Sequence, residues 1–248
     1  MLLKILREQK PDYVAAVFDR KEKTFRSEWS ATYKATRKPT ADDLVPQLIA
    51  ARDVFKAFGI TTFELAGYEA DDLIGTLAEQ FRKKDHLKVI ILSGDADAFQ
   101  LVDGDRVVVD AIKRGIDEVQ IYDEGAFIER YGFLPKYLVD YKGLVGDPSD
   151  NIKGVAGVGE KTATELIKEF GTIEEIFENI EIISEKVSKK LRGQKEQALL
   201  SKKLATIVRD APIGDLEYED VAINKPTTAE LKKFFEEYGF TSLSRILD

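Results

Sequence analysis

Between Leu87 and Asp95 the chain reads "LKVIILSGD", an apolar run of strand length closed by Ser-Gly-Asp. A strand with one face in water alternates apolar and polar residues; this one does not, so both of its faces must be covered. Strands of that kind belong to sheets that are largely parallel, with helices crossing over between neighbours. The rest of the first half fits that demand. "DYVAAVFD", "GITTFELAG", "DRVVVDAI" and "EVQIYD" read as further strands. "YEADDLIGTLAEQF" keeps Leu73, Ile74, Leu77 and Phe81 on one helical face, and "MLLKILREQK" does the same with Leu2, Leu3, Ile5 and Leu6 before Pro11. A further helix is expected from a Thr40 cap, with Leu44, Leu48, Val54 and Phe58 as its apolar line and Pro46 as a kink or restart. Past Asp123 the periodicity is helical to about 210, with a capping box at Thr172 and Glu175, and an amphipathic tail closes the chain. The expected fold class is therefore α/β, a mainly parallel central sheet flanked by helices over 1–134, followed by a helical subdomain over 135–248.

Composition narrows the chemistry. The 248 residues are 44% apolar and 33% charged, with neither a membrane-spanning apolar run nor a signal-peptide pattern, so the reading is a soluble intracellular protein. There are no cysteines, and the single histidine, His86, follows a lysine-rich patch where an exposed loop is expected. Metal chemistry must then be carboxylate chemistry. The net charge of −8 argues against a wholly nucleic-acid-coated surface, yet lysines and arginines crowd 34–38 and 186–203, leaving room for a basic track beside an acidic pocket. The 186–203 run itself is taken as a solvated helical surface.

Asp19 and Asp95 each close a strand, at the sheet edge where ligands of open parallel sheets bind. Asp97 follows two residues after Asp95; Glu69, Asp71 and Asp72 open a helix; Asp147 and Asp150 lie in a glycine-rich turn. Any one of these has an ordinary explanation, since acids favour a helix N-terminus. Together they are costly: two carboxylates about 4 Å apart repel by roughly 4 kcal/mol at an effective dielectric near 20. Divalent cations would remove that cost, and an all-oxygen donor set suits two Mg2+ or Mn2+ ions acting on a phosphodiester. A solvated acidic face is the alternative.

Two further stretches bear on nucleic acid. Gly154, Gly157 and Gly159, followed by "EKTATELIKEF", place backbone N–H groups, Lys161 and Thr162 at a helix start where a phosphate could sit, although a tight helix connection explains the glycines equally well. In "TFRSEWSATYKATRKPT", Arg26, Lys34, Arg37 and Lys38 alternate with Phe25, Trp29 and Tyr33, the mixture of cations and rings that single-stranded nucleic acid uses.

"VFDRKEKTFR", "YKATR", "GYEADDLIGTLA", "SGDADAFQLV" and "GLVGDPSDNIKGVAGVGEKTATELI" resemble, in order and over nearly the whole chain, the 5′-nuclease domain of bacterial DNA polymerase I, within the flap-endonuclease superfamily. The resemblance implies a PIN/FEN-like core. It implies metal ligands at Asp19, Glu69, Asp71, Asp72, Asp95, Asp97, Asp147 and Asp150, and Tyr33, Lys34 and Arg37 in an arch whose cations act on the scissile phosphate. It implies a helix-turn-helix contact to duplex DNA at the turn, assisted by K+, with Lys153, where proline is usual, adding a cation. The implied substrates are DNA with a 5′ flap or 5′ end and RNA primer–DNA hybrids. A monomer in the cytoplasm at the nucleoid, working beside a DNA polymerase, is expected. The family pattern opens with a strand ending in a metal-binding aspartate, whereas "MLLKIL" resembles the helix after it. The reading is thus of an N-terminally truncated member, with a flap- or duplex-binding fragment of impaired catalysis as the alternative. A more distant alternative is a phosphatase- or receiver-like α/β domain.

Overall fold

The computed structural model describes residues 2–114 and 118–244; Met1 and the last residues of the closing "SRIL" run lie outside them. In chain order the elements are α1 (Leu2–Glu8), β1 (Ala15–Val17), α2 (Arg26–Trp29), α3 (Val45–Ala57), β2 (Thr61–Phe63), α4 (Ala70–Phe81), β3 (Val89–Ser93), β4 (Val107–Arg114) and β5 (Glu118–Tyr122). There follow α5 (Glu124–Tyr131), α6 (Leu138–Val145), β6 (Gly146–Asp147), β7 (Ile152–Lys153), α7 (Glu160–Phe170), α8 (Ile173–Glu178), α9 (Glu185–Leu191), α10 (Lys195–Ala205), α11 (Thr228–Glu237) and α12 (Thr241–Ser244). They form two compact units, one of residues 1–20, 38–65 and 213–248, the other of 21–37 and 66–212.

In the first unit β1 and β2 pair in parallel, Ala16 opposite Thr62. Ala16, Phe58, Ile60, Leu231 and Phe235 form its core, against which the apolar face of α1 and the Val54–Phe55 side of α3 pack. The tail helix α11 carries a full capping box between Thr227 and Glu230, which satisfies orphan N–H groups at its start. The helix expected from Thr40 starts later. It begins at Val45, with Pro46 in its first turn, where a missing N–H costs nothing; Pro46 therefore starts the helix and does not kink it.

In the second unit β3 pairs in parallel with β4, Val89 opposite Val107, and β4 pairs antiparallel with β5, Val109 opposite Tyr122. The continuous apolar character of β4 matches its burial, Val107, Val108 and Val109 being at most 1% exposed. The core runs from there through Phe99, Phe127, Leu144, Ile167, Ile173 and Leu191 into the helical segments. Thr172 caps α8 by accepting from the Glu175 N–H, one half of the expected box. His86 is exposed between α4 and β3. Among the described residues no helix is long and apolar enough to cross a membrane.

Candidate active site

The β6–β7 hairpin organises the carboxylates of the second unit. Its connecting turn, 148–151, separates Asp147 from Asp150 and delivers each to a different group of side chains.

Asp150 meets α4 and the segment after α2. Its Oδ1 accepts from Arg37 Nη2 at 2.5 Å and its Oδ2 faces the Tyr33 hydroxyl at 3.1 Å. The same hydroxyl lies 3.1 Å from Glu69 Oε2, so its one proton serves either carboxylate. Lys34 Nζ donates to Glu69 at 2.7 Å and lies 3.7 Å from Asp150, while the Lys34 N–H donates to the Asp150 carbonyl at 2.9 Å. Burial first, then the Glu69 and Asp150 charges, push the Tyr33 hydroxyl well above its ordinary range. Glu69 is the N-cap of α4, its N–H donating to Asp72 at 3.1 Å.

Asp147 turns toward Asp97. Lys142, on α6, donates to both, at 2.7 Å to Asp147 Oδ2 and in close contact with Asp97 Oδ1. Asp147 also accepts from the Ser149 N–H at 2.9 Å and hydroxyl at 2.6 Å. Burial works against its ionisation, but the Lys142 and Ser149 hydrogen bonds outweigh it and hold the carboxyl at about 2. Asp97 goes the other way, pushed up to about 6 by burial, with the neighbouring Asp95 and Asp147 charges adding to it. The two carboxyls share one ammonium, and Asp147 has the Ser149 donors besides. Asp95 is exposed and caps the turn that follows β3, accepting from the Asp97 N–H at 2.9 Å.

Two expected site residues prove to be interior. Asp72 is fully buried: it takes both arms of the Arg26 guanidinium at 2.7 Å and also accepts from the Val208 and Glu69 N–H groups. Arg26, expected as a DNA-contacting cation, is 2% exposed and spends its remaining donors on the Leu204 and Thr206 carbonyls. A buried arginine needs that full set of partners, and this one cannot also reach a ligand in solvent. Asp71 is half-buried in the first turn of α4. Asp19 belongs to the first unit, exposed after β1, its carbonyl accepting from Arg52 at 3.1 Å.

The glycine-rich turn is built for close approach. A Cβ on Gly154 would fall 2.3 Å from the Val145 carbonyl carbon and 2.4 Å from the Gly146 nitrogen, and Gly157 has φ +82°. The lysine-rich run credited with no role supplies part of its scaffold. Lys190 donates to the Gly157 carbonyl at 2.7 Å, Gln194 brackets Ala156, and Gln197 binds the Lys153 carbonyl at 2.8 Å. Gly159 caps α7, and Lys153 and Lys161 are exposed beside Thr162.

Among the described residues no group of three or more acidic or histidine side chains converges tightly enough to hold a metal ion. The convergence is pairwise, each pair bridged by a cation of the chain itself: Asp97 and Asp147 by Lys142, Glu69 and Asp150 by Lys34, with Arg37 also on Asp150. Two carboxylates that share one ammonium present hard oxygens to one point, the donor chemistry that Mg2+ or Mn2+ takes. Lys142 had no signal in the sequence, a single lysine inside a helical pattern; its contact with Asp97 spans 45 positions.

The profile of the 5′-3′ exonuclease N-terminal resolvase-like domain matches residues 1–132, and that of the 5′-3′ exonuclease C-terminal SAM fold matches 133–229. DNA polymerase I of Bacillus caldotenax is 44% identical over 98% of this chain, and that of Bacillus subtilis 41% identical, again over 98%. The chain spans 27% of the length of each. Among solved structures, T5 5′-exonuclease with bound zinc is similar over 82% of this chain and 78% of its own, with TM-score 0.68 and 22% identity. The catalytic core of Rad2 in complex with DNA is similar over 90% of this chain and 73% of its own, with TM-score 0.58 and 19% identity. At those identities the two structures speak for the fold, and the profiles speak for the lineage: the chain belongs to the 5′-3′ exonuclease family.

Proposed function

We propose that this chain is a metal-dependent 5′ nuclease that hydrolyses phosphodiesters near DNA 5′ ends and flap junctions, in primer removal and repair. The observation that carries the reading is the Asp147–Asp150 turn, which hands one carboxylate to Asp97 and the other to Glu69. Asp95, Asp97 and Asp147 would hold one Mg2+ or Mn2+; Glu69, Asp71 and Asp150 are assigned to the other. When bound, such ions supply a nucleophilic water and neutralise charge on the phosphate. Lys34 and Arg37, already held beside Glu69 and Asp150, orient the scissile phosphate, and the Tyr33 hydroxyl, 3.1 Å from each carboxylate, gives its one proton to either. Lys153, Gly154, Gly157, Gly159, Lys161 and Thr162 take the duplex backbone, with K+ at the turn. In this division residues 1–134 carry most of the chemistry and 135–248 the duplex contact. The substrates include RNA primer–DNA hybrids, and the chain acts as a monomer at the nucleoid in concert with a DNA polymerase.

The pairwise convergence of the carboxylates favours a second reading, a flap-binding protein that does not cut. One experiment separates them: cleavage of a labelled 5′-flap DNA with Mg2+ or Mn2+, beside the Asp97→Ala/Asp147→Ala variant. Divalent-dependent cleavage lost in the variant supports the nuclease. Binding without cleavage supports the second reading, and cleavage that survives in the variant overturns the site.

A further inference from the structure

A groove of about 790 Å3 opens in the second unit between α5, α6 and α7, beginning at Ala96 and Lys142 beside the Asp97–Asp147 pair. Tyr131 and Tyr141 form part of its wall, each backed by another ring: Phe127 stacks on Tyr131 at 4.5 Å and Phe133 lies 5.4 Å from Tyr141. On α7, Lys161, Thr164, Glu165 and Lys168 follow the i, i+3, i+4, i+7 stripe into the groove, while Ala163, Leu166 and Ile167 pack into the core. Arg130 closes the far side, held by the Tyr122 hydroxyl at 2.6 Å and lying over the Tyr131 ring.

The groove gathers cations that, among the described residues, have no carboxylate of their own. Lys34, Arg37, Arg82, Lys142 and Lys202 all have carboxylate partners. Among the described residues, Arg130, Lys161 and Lys168 have none within 4.0 Å, although Glu160 and Glu165 share the groove. Three unpaired cations in one groove, in a protein with an acidic excess of 8, point to an anionic occupant. Lys161 and Lys168 stand seven residues apart on one helix, about 10 Å along its axis. One phosphate group cannot reach both; a strand advancing about 3.4 Å per nucleotide covers that distance in roughly three.

We propose that this groove seats a nucleic-acid strand through its phosphates, with Lys161 and Lys168 as successive contacts, Arg130 as a fixed positive wall, and the two tyrosines as a rigid side. The assignment extends the nuclease reading and rests on it: Lys161, already given to the duplex backbone at the glycine-rich turn, starts the path, and the strand continues from there along α7 to Lys168.

The test is equilibrium binding of a labelled 5′-flap duplex in EDTA, from 50 to 200 mM KCl, by the wild type and by Lys168→Gln, Lys168→Arg and Lys225→Gln. Lys168 is exposed, so its variants keep the fold, which circular dichroism checks. Loss of one phosphate contact lowers the slope of log K against log salt by about 0.9, so the affinity deficit of Lys168→Gln should narrow about 3.5-fold across that range. Lys168→Arg should bind as the wild type does, and so should Lys225→Gln, in the first unit. An unchanged affinity and slope in Lys168→Gln, with normal wild-type binding, overturns the groove and leaves the nuclease reading standing. A nucleoside 5′-monophosphate that binds in a Lys168-dependent manner, while DNA binding ignores Lys168, overturns the strand in favour of a free nucleotide. Wild-type protein that binds no flap DNA at 50 mM KCl removes both readings.

Discussion

Arg26→Met should be the most damaging single substitution among the site's neighbours, although the residue, expected from the sequence as a DNA-contacting cation, is too deeply buried to touch substrate. The side chain is 3% exposed and Asp72 is 0% exposed. Removing the guanidinium takes two hydrogen bonds of 2.7 Å from Asp72 and strips donors from the Leu204 and Thr206 carbonyls. Asp72 would keep only the Val208 and Glu69 N–H groups, a charge in the interior with half its partners. Stranding one member of a buried ion pair costs about 3–5 kcal/mol. At about 2–4 °C per kcal/mol for a chain of this size, the melting temperature should fall by roughly 6–20 °C. The second half of the argument concerns the cause. If the stranded charge is the penalty, Arg26→Met/Asp72→Asn should be more stable than Arg26→Met, by about 1–2 kcal/mol, because the amide oxygen still accepts from one N–H and no ion remains buried. Thermal and urea unfolding of the three proteins decides it. A fall under about 2 °C in Arg26→Met, or a double variant no more stable than the single, refutes the reasoning.

Lys142→Met should leave Asp97 and Asp147 without their shared cation, a repulsion of roughly 4 kcal/mol if they settle about 4 Å apart; its melting temperature should drop in EDTA and recover with Mg2+ by more than the wild type gains. Gly154→Ala should destabilise by about 1–3 kcal/mol through overpacking against the 145–146 backbone, whereas Gly159→Ala, with open space around it, should stay within about 1 kcal/mol of wild type in urea unfolding. Asp140 accepts from the Ile173 N–H at 2.9 Å and pairs with Lys202 at 2.7 Å, and burial holds its carboxyl above the usual range. A carboxyl raised on folding binds its proton more tightly in the native state, so stability falls as pH climbs from the unfolded value through the raised one. Lys202→Met removes the opposing cation and should cost more at pH 7 than at pH 4, measured as melting temperature against pH; equal losses would count against a buried ionised Asp140.

What the sequence made legible follows from what its patterns report. Apolar spacing reports faces, so β4 and α4 were readable from "VVV" and Leu73, Leu77 and Phe81, and helix-start acids were readable because Glu69 and Asp72 have a local capping role; β3 was readable as a strand, but the expectation that both its faces are covered fails at Ile90, which is 46% exposed while Ile91 is buried. Spacing does not report which cation faces which carboxylate. Arg26 sits in a basic, aromatic stretch with no periodicity and reads as a surface group, yet its partner lies 46 residues on and its carbonyl acceptors about 180. Lys142, Lys190 and Lys202 were equally silent, because each meets its acceptor through tertiary packing. The carboxylate positions were therefore visible and their neutralisation was not. That difference bears on the chemistry: with Lys142 bridging one carboxylate pair, and Lys34 and Arg37 the other, the chain can fold with its acids assembled, and a metal ion would compete for oxygens that are already partly charge-compensated. The electrostatic cost inferred from clustered acids is thus met in part within the fold, with the residual repulsion that raises Asp97 left for a divalent ion to relieve.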